Sequence, residues 1–191
     1  MKLIDEEVKH PEHAGKIVKV GNTEVMVGSS NYIGREVQDW ATIMVPLNEK
    51  IPFRFQPGRA LPMVYWLPLV DYGGVPENWA HEVRFLLDQA RHGRLAFWCT
   101  GGHGRTGTLL ASLIALAEPD KDPIAEARAR GCERMVETLD QLKGIVKLLP
   151  SAEHQRIVFT RHYGTVIDVQ RQKQGQLFTD PQPKPKTKRS K

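Results

Sequence analysis

The stretch from Arg94 to Leu116 admits few folds. It reads RLAFW, then CTGGHGRTGT, then LLASLIAL: an apolar run, a glycine-rich turn opened by Cys99, and an apolar helix opened by Arg105 and Thr106. A short apolar run followed by a turn and a helix is the pattern of a buried strand delivering a loop to the edge of an α/β sheet. Gly101, Gly102 and Gly104 let the backbone between Cys99 and Arg105 enter conformations closed to other residues. Successive N–H groups can then converge as a nest for an anion, and the positive end of the following helix points at the same spot. Helix N-termini and nearby cations favour the thiolate form of a cysteine. Arg105 offers a planar fork that matches two oxygens of a phosphate. The spacing predicts a nucleophilic thiolate beneath a bound phosphoryl group, with the loop from Thr100 through Gly101, Gly102, His103 and Gly104 to Arg105 as its cradle.

Three other readings of this stretch compete. A buried structural cysteine at a strand end is a common fate of free cysteine, but it leaves the glycines and Arg105 unexplained. Gly102-His103-Gly104-Arg105-Thr106-Gly107 satisfies G-x-G-x-x-G, the dinucleotide fingerprint. That fingerprint also needs a second strand ending in an acidic residue roughly 20 positions on. Here Asp120-Lys121-Asp122-Pro123 and another helical segment follow instead. A nucleotide-triphosphate loop requires a lysine where this chain has none.

The segment CTGGHGRTG resembles the signature loop of the cysteine-dependent protein tyrosine and dual-specificity phosphatases: a cysteine, five residues, then arginine and serine or threonine. The resemblance makes Cys99 the nucleophile, Arg105 the phosphate-binding arginine, and Thr106 the hydroxyl that eases thiolate departure. Trp98 stands where the family usually has histidine. A second segment, VDYGGVPENW over 70–79, is similar to the family's acid loop, with one extra residue before its proline. It supplies Asp71, 28 positions before Cys99, as the general acid, with Glu77 in reserve. Thr138-Leu139-Asp140-Gln141-Leu142 resembles the segment with a water-positioning glutamine, here Gln141. The implied fold is α/β: one three-layer domain with a central, mainly parallel sheet flanked by helices. The implied activity is hydrolysis of phosphomonoesters through a cysteinyl-phosphate intermediate, without metal or cofactor. Phosphotyrosine in a protein or peptide is the first substrate and phosphoserine or phosphothreonine the second. Phosphoinositide or RNA 5′-phosphatase activity is the alternative, followed by a catalytically weak phosphate-binding module.

Composition sets the remaining bounds. The 191 residues suit one domain with a substantial core, and 40% hydrophobic with 26% charged residues is ordinary for a globular chain. The net charge of +5 resides in the five basic residues of PQPKPKTKRSK, so the other 180 residues balance. This gives an N-terminal extension over 1–15, a phosphatase domain over 16–165, and a basic, Pro/Lys-rich disordered tail over 166–191. The tail suits a solvated end first and contact with anionic membranes or nucleic acid second. The polar start, the lack of a membrane-length apolar run and the presence of only two cysteines, Cys99 and Cys132, point to a cytoplasmic protein, expected to be a monomer.

Along the chain, KIVKV-GN-TEVMV predicts a hairpin over 16–27. Strands are expected over 41–47, 63–69 and 94–98, with a loop over 51–62. Helices are expected over 76–92, 106–117, 123–130, 133–149 and 151–163, the last closed by Gly164. His10 and His13, without further ligands nearby, read as exposed polar residues, as do His81 and His92. Cys132 reads as a packed small residue, with a resolving role for oxidised Cys99 as the second choice.

Overall fold

The computed structural model describes residues 14–30, 36–50 and 62–177. His10, His13, most of the 51–62 loop and the basic residues after 177 lie outside them. The element order is β1 (Lys16–Val20), β2 (Thr23–Ser29), α1 (Glu36–Trp40), β3 (Ile43–Pro46), β4 (Met63–Val64), α2 (Trp79–His92), β5 (Leu95–Cys99), α3 (Gly104–Ala117), α4 (Pro123–Arg130), α5 (Leu139–Val146) and α6 (Ala152–Leu177).

The hairpin forms as expected, with β1 antiparallel to β2 and Gly21 at φ +56° in its two-residue turn. The five strands lie in the order β1-β2-β5-β3-β4, and all pairings except β1 with β2 are parallel. The strand carrying Cys99 therefore occupies the centre. Its five residues are all buried, as a strand covered on both faces demands. Alternation divides them: Leu95, Phe97 and Cys99 join the main core beneath α2, α3, α4 and α5, while Ala96 and Trp98 join Met26, Val37, Ala41 and Met44 on the other face. The fold is α/β with a mostly parallel sheet between helical layers, and among the described residues α1 is the one helix packed on the second face.

Helix α2 buries Trp79, Val83, Leu86, Leu87 and Ala90, the predicted stripe. Trp79 also donates from Nε1 to Ser112 Oγ at 2.9 Å, fastening α2 to α3. Helix α3 is apolar nearly all round and buried from Gly104 to Ala115, as a central helix should be. Asp122 caps α4 by accepting from the N–H groups of Ile124 and Ala125 at 3.2 and 3.1 Å, with Pro123 in the first helical turn.

Three expected elements differ. The helix over 133–149 is confined to Leu139–Val146, because Thr138 and Gln141 form a capping box that starts it there. Met135 and Val136 are buried as loop residues instead. The helix expected to stop at Gly164 runs through it to Leu177, so residues 166–177 are helical rather than tail. Val158, His162 and Val166 continue one buried face at four-residue spacing past the glycine. The strand over 63–69 is regular only at Met63–Val64. Beyond that, the N–H groups of Tyr65, Leu67 and Leu69 still donate to the carbonyls of Met44, Pro46 and Leu47 at 2.8 to 3.3 Å, which carries the chain alongside β3 toward Asp71.

Candidate active site

Cys99 ends β5 at the carboxyl edge of the sheet, where parallel α/β folds place their ligands. Its carbonyl accepts from Ser30 N–H at 2.8 Å, so the neighbouring strand holds the turn of the chain. Two donors reach its sulfur: Gly102 N–H at 3.3 Å and the Thr106 hydroxyl at 3.1 Å. Gly102 takes φ +75°, in the left-handed region that favours glycine. Thr100 is held from two sides. Its carbonyl accepts from Ser29 Oγ at 2.5 Å, and its hydroxyl accepts from Asn48 Nδ2 at 2.6 Å.

Arg105 is 5% exposed. Its Nη1 donates to the Leu69 carbonyl at 3.4 Å and its Nη2 stands 3.2 Å from Asp71 Oδ1. Its Nε has no hydrogen-bond partner among the described residues. A buried guanidinium with an unused N–H fits an anion that supplies the missing acceptor. The amino end of α3 adds to this, since the His103 side chain makes no capping bond there. Instead His103 Nδ1 lies 3.5 Å from Cys132 Sγ; neither cysteine is in a disulfide, and both are buried.

The segment carrying Asp71 is braced on α5. A methyl on Gly144 would meet Val75 Cγ2 at 2.5 Å, and one on Gly74 would meet Asp140 Cβ at 3.2 Å. Asp71 itself is half exposed, and Tyr72 beside it takes φ +56° without being glycine. Glu77 is exposed and is not among the residues that line the pocket.

The result is a pocket of about 220 Å³ lined by Cys99, Arg105, Asp71, Tyr72, His103 and Glu137, together with Thr100, Gly101 and Gly104. A larger cleft of about 450 Å³ lies between the β1–β2 hairpin at Val20 and Thr23 and α2 at Leu87, and holds none of these groups. The structure thus gathers Cys99, Arg105, Asp71 and Thr106, as well as the loop between the cysteine and the arginine. Gln141 stands beside the same loop: its Nε2 would lie 2.9 Å from a methyl on Gly104, and its Oε1 accepts from the N–H groups of Glu137 and Thr138 at 2.8 and 3.3 Å, holding the loop that enters α5.

Glu137 is the residue that the sequence did not single out. It is 4% exposed, and its Oε2 would stand 2.6 Å from a methyl on Gly104. Its one local mark is its position just before the Thr138–Gln141 capping box. Trp98 packs on the opposite face of the sheet from Cys99, fully buried, so its side chain lies away from the pocket. Among the described residues, no group of three or more His, Cys, Asp or Glu could hold a metal ion, and no helix is long and apolar enough to cross a membrane.

No family model matches the chain. Two uncharacterized proteins of Methanocaldococcus jannaschii are similar to it, one 34% identical over 94 residues and one 37% identical over 92. Each alignment covers 47% of this chain but only 56% and 60% of those relatives, so the chain spans little more than half of their length. Among solved structures, Tk-PTP in its active form superposes with a TM-score of 0.59 at 19% identity, over 71% of this chain and 95% of that one. A mouse putative dual specificity phosphatase complexed with zinc tungstate gives 0.53 at 12% identity, over 84% and 96%. Identities this low speak for architecture alone, and on that ground the chain has the fold of the cysteine-dependent protein tyrosine and dual-specificity phosphatases.

Proposed function

We propose that this protein hydrolyses phosphomonoesters through a cysteinyl-phosphate intermediate, with phosphotyrosine in a protein or peptide as the first substrate to test. The observation that carries the reading is the convergence of Gly102 N–H and the Thr106 hydroxyl on the Cys99 sulfur, next to a buried Arg105 with an unused N–H.

In the first step the Cys99 thiolate attacks phosphorus. A sulfur–phosphorus bond forms, the ester bond breaks, and Asp71 gives its proton to the departing oxygen. Arg105 leaves Asp71 for the phosphoryl oxygens, which the loop N–H groups also hold as negative charge builds. In the second step water attacks phosphorus and passes a proton to Asp71. The sulfur–phosphorus bond breaks, and the Thr106 hydroxyl stabilises the departing thiolate. Glu137, facing the same pocket, accepts a hydrogen bond from that water. Tyr72, 44% exposed at the mouth, offers a face to the ring of phosphotyrosine.

The test is phosphate release from a phosphotyrosine peptide with EDTA present, wild type beside Cys99→Ser. Release by wild type only, undiminished by the chelator, is expected. Equal release by both proteins, or loss of release in EDTA, would overturn the scheme. Peptide binding by wild type without release would favour a phosphate-binding module.

A further inference from the structure

Val136 is fully buried and takes φ +65°, in the left-handed region. A branched side chain is strained there, and such strain persists only where the surroundings over-determine it. The turn is held from three sides. Arg128 reaches across from α4, donating from Nε to the Met135 carbonyl at 3.0 Å and from Nη2 to the Val136 carbonyl at 3.4 Å. Gln141 Oε1 takes the next two N–H groups, those of Glu137 and Thr138. A methyl on Gly107 would meet Val136 N at 2.9 Å, so the turn lies against the bare backbone of α3.

The residue that leaves this turn is Glu137, whose carboxylate stands over Gly104 at the Cys99 pocket. With Val136 in an ordinary extended or right-handed conformation, the chain would leave in another direction and carry that carboxylate elsewhere. Arg128 does not line the pocket. Among the described residues both of its hydrogen bonds go to the two carbonyls of the turn. Burial holds its guanidinium below the ordinary range, opposed by the Asp122 carboxylate. Placing a cation there is unfavourable unless its donors are used. One edge of the planar guanidinium spans adjacent carbonyls, which a lysine ammonium cannot do.

We infer that Arg128 is a positioning residue for the second chemical step: bridging the Met135 and Val136 carbonyls, it keeps the Val136 turn left-handed and so holds Glu137 against the attacking water. The inference rests on the phosphatase reading and adds a residue that touches neither substrate nor reacting atoms. In that step the water oxygen bonds to phosphorus, its proton passes to Asp71, and the sulfur–phosphorus bond breaks with its electron pair on Cys99. Arg128 governs only where Glu137 holds the water.

The experiment follows dephosphorylation of a phosphotyrosine peptide in rapid-mixing kinetics for wild type, Arg128→Lys, Arg128→Ala, Glu137→Gln and the double variant Arg128→Lys/Glu137→Gln. First-turnover release of the dephosphorylated peptide reports the first step, the steady rate reports the second, and the burst amplitude counts folded sites. Arg128→Lys should leave the first-turnover rate unchanged and lower the steady rate per folded site about tenfold, as a misplaced group does. Arg128→Ala should lower it further. In the Glu137→Gln background, Arg128→Lys should add nothing, because the two residues act as one unit. An equal fall in both steps, a steady rate unchanged in both Arg128 variants, or a loss that multiplies onto Glu137→Gln overturns the inference. Those results beside an active wild type leave the phosphatase reading standing. A wild type that releases no phosphate removes that reading and the inference together.

Discussion

Thr106 and Glu137 approach the same reaction from different sides, and their replacement separates the two steps. Thr106→Ala removes the hydroxyl 3.1 Å from the sulfur. On the proposed mechanism this slows thiolate departure, so the cysteinyl phosphate accumulates and is caught by acid quench and mass spectrometry. Glu137→Gln keeps the shape but weakens the acceptor for water. A first-turnover burst should then precede a steady rate lower by on the order of 10- to 100-fold, as for a lost water-positioning contact. A uniform fall without a burst would make Glu137 merely structural. Arg105→Lys replaces a bidentate fork by a point charge and should lower kcat/KM about 100- to 1,000-fold, as measured on a phosphotyrosine peptide. Of these residues, Cys99, Arg105 and Thr106 were legible in the sequence because the chemistry fixes their spacing along one loop. Asp71 gained meaning only beside that loop, since a lone turn aspartate is ordinary. Glu137 was illegible: it reaches the pocket because its segment crosses Gly104, a contact made by tertiary packing.

Elements whose ends carry their own chemistry were the readable ones. The Gly21-Asn22 turn and the Asp122-Pro123 cap formed where residue type put them. Periodicity misled at Met135, which keeps helical spacing with Leu139 and Leu142 yet is buried as loop. A methyl on Gly107 would meet its Cβ at 2.6 Å, so this loop packs directly on α3. Glycine misled at Gly164, where nothing lies within 4 Å of an added methyl and the helix continues. Gly164→Ala should therefore stabilise the fold by about 0.5–1 kcal/mol, read from urea unfolding. Gly144→Ala should do the reverse. The methyl meets Val75 and shifts the segment carrying Asp71, costing about 1–3 kcal/mol through overpacking. Because small misplacements of reacting groups are expensive, activity should fall more than stability does.

Two partly buried carboxylates join distant parts of the whole molecule. Arg130 bonds hold the Glu118 carboxyl far below its ordinary range, helped by Gly21 N–H and Lys121 and opposed by burial, which ties α3 and α4 to the hairpin turn. Asp122 is also held far below: burial alone would raise it, but His162, Ala125 N–H and Arg161 together prevail, joining α4 to α6. Both groups are depressed in the folded state, so their contribution is complete above the unfolded carboxylate range near pH 4 and is lost as pH falls below it. Urea midpoints should drop steeply between about pH 4 and pH 2, and less steeply in Asp122→Asn. The ion pair between Arg105 and Asp71 has a further meaning at this scale. The resting protein already holds a carboxylate against the arginine that awaits phosphate, so its own acid competes with every ligand. Asp71→Asn should bind inorganic phosphate more tightly while turning substrate over more slowly. Added salt, by screening a pair whose aspartate is half exposed, should narrow the difference in affinity between the two proteins.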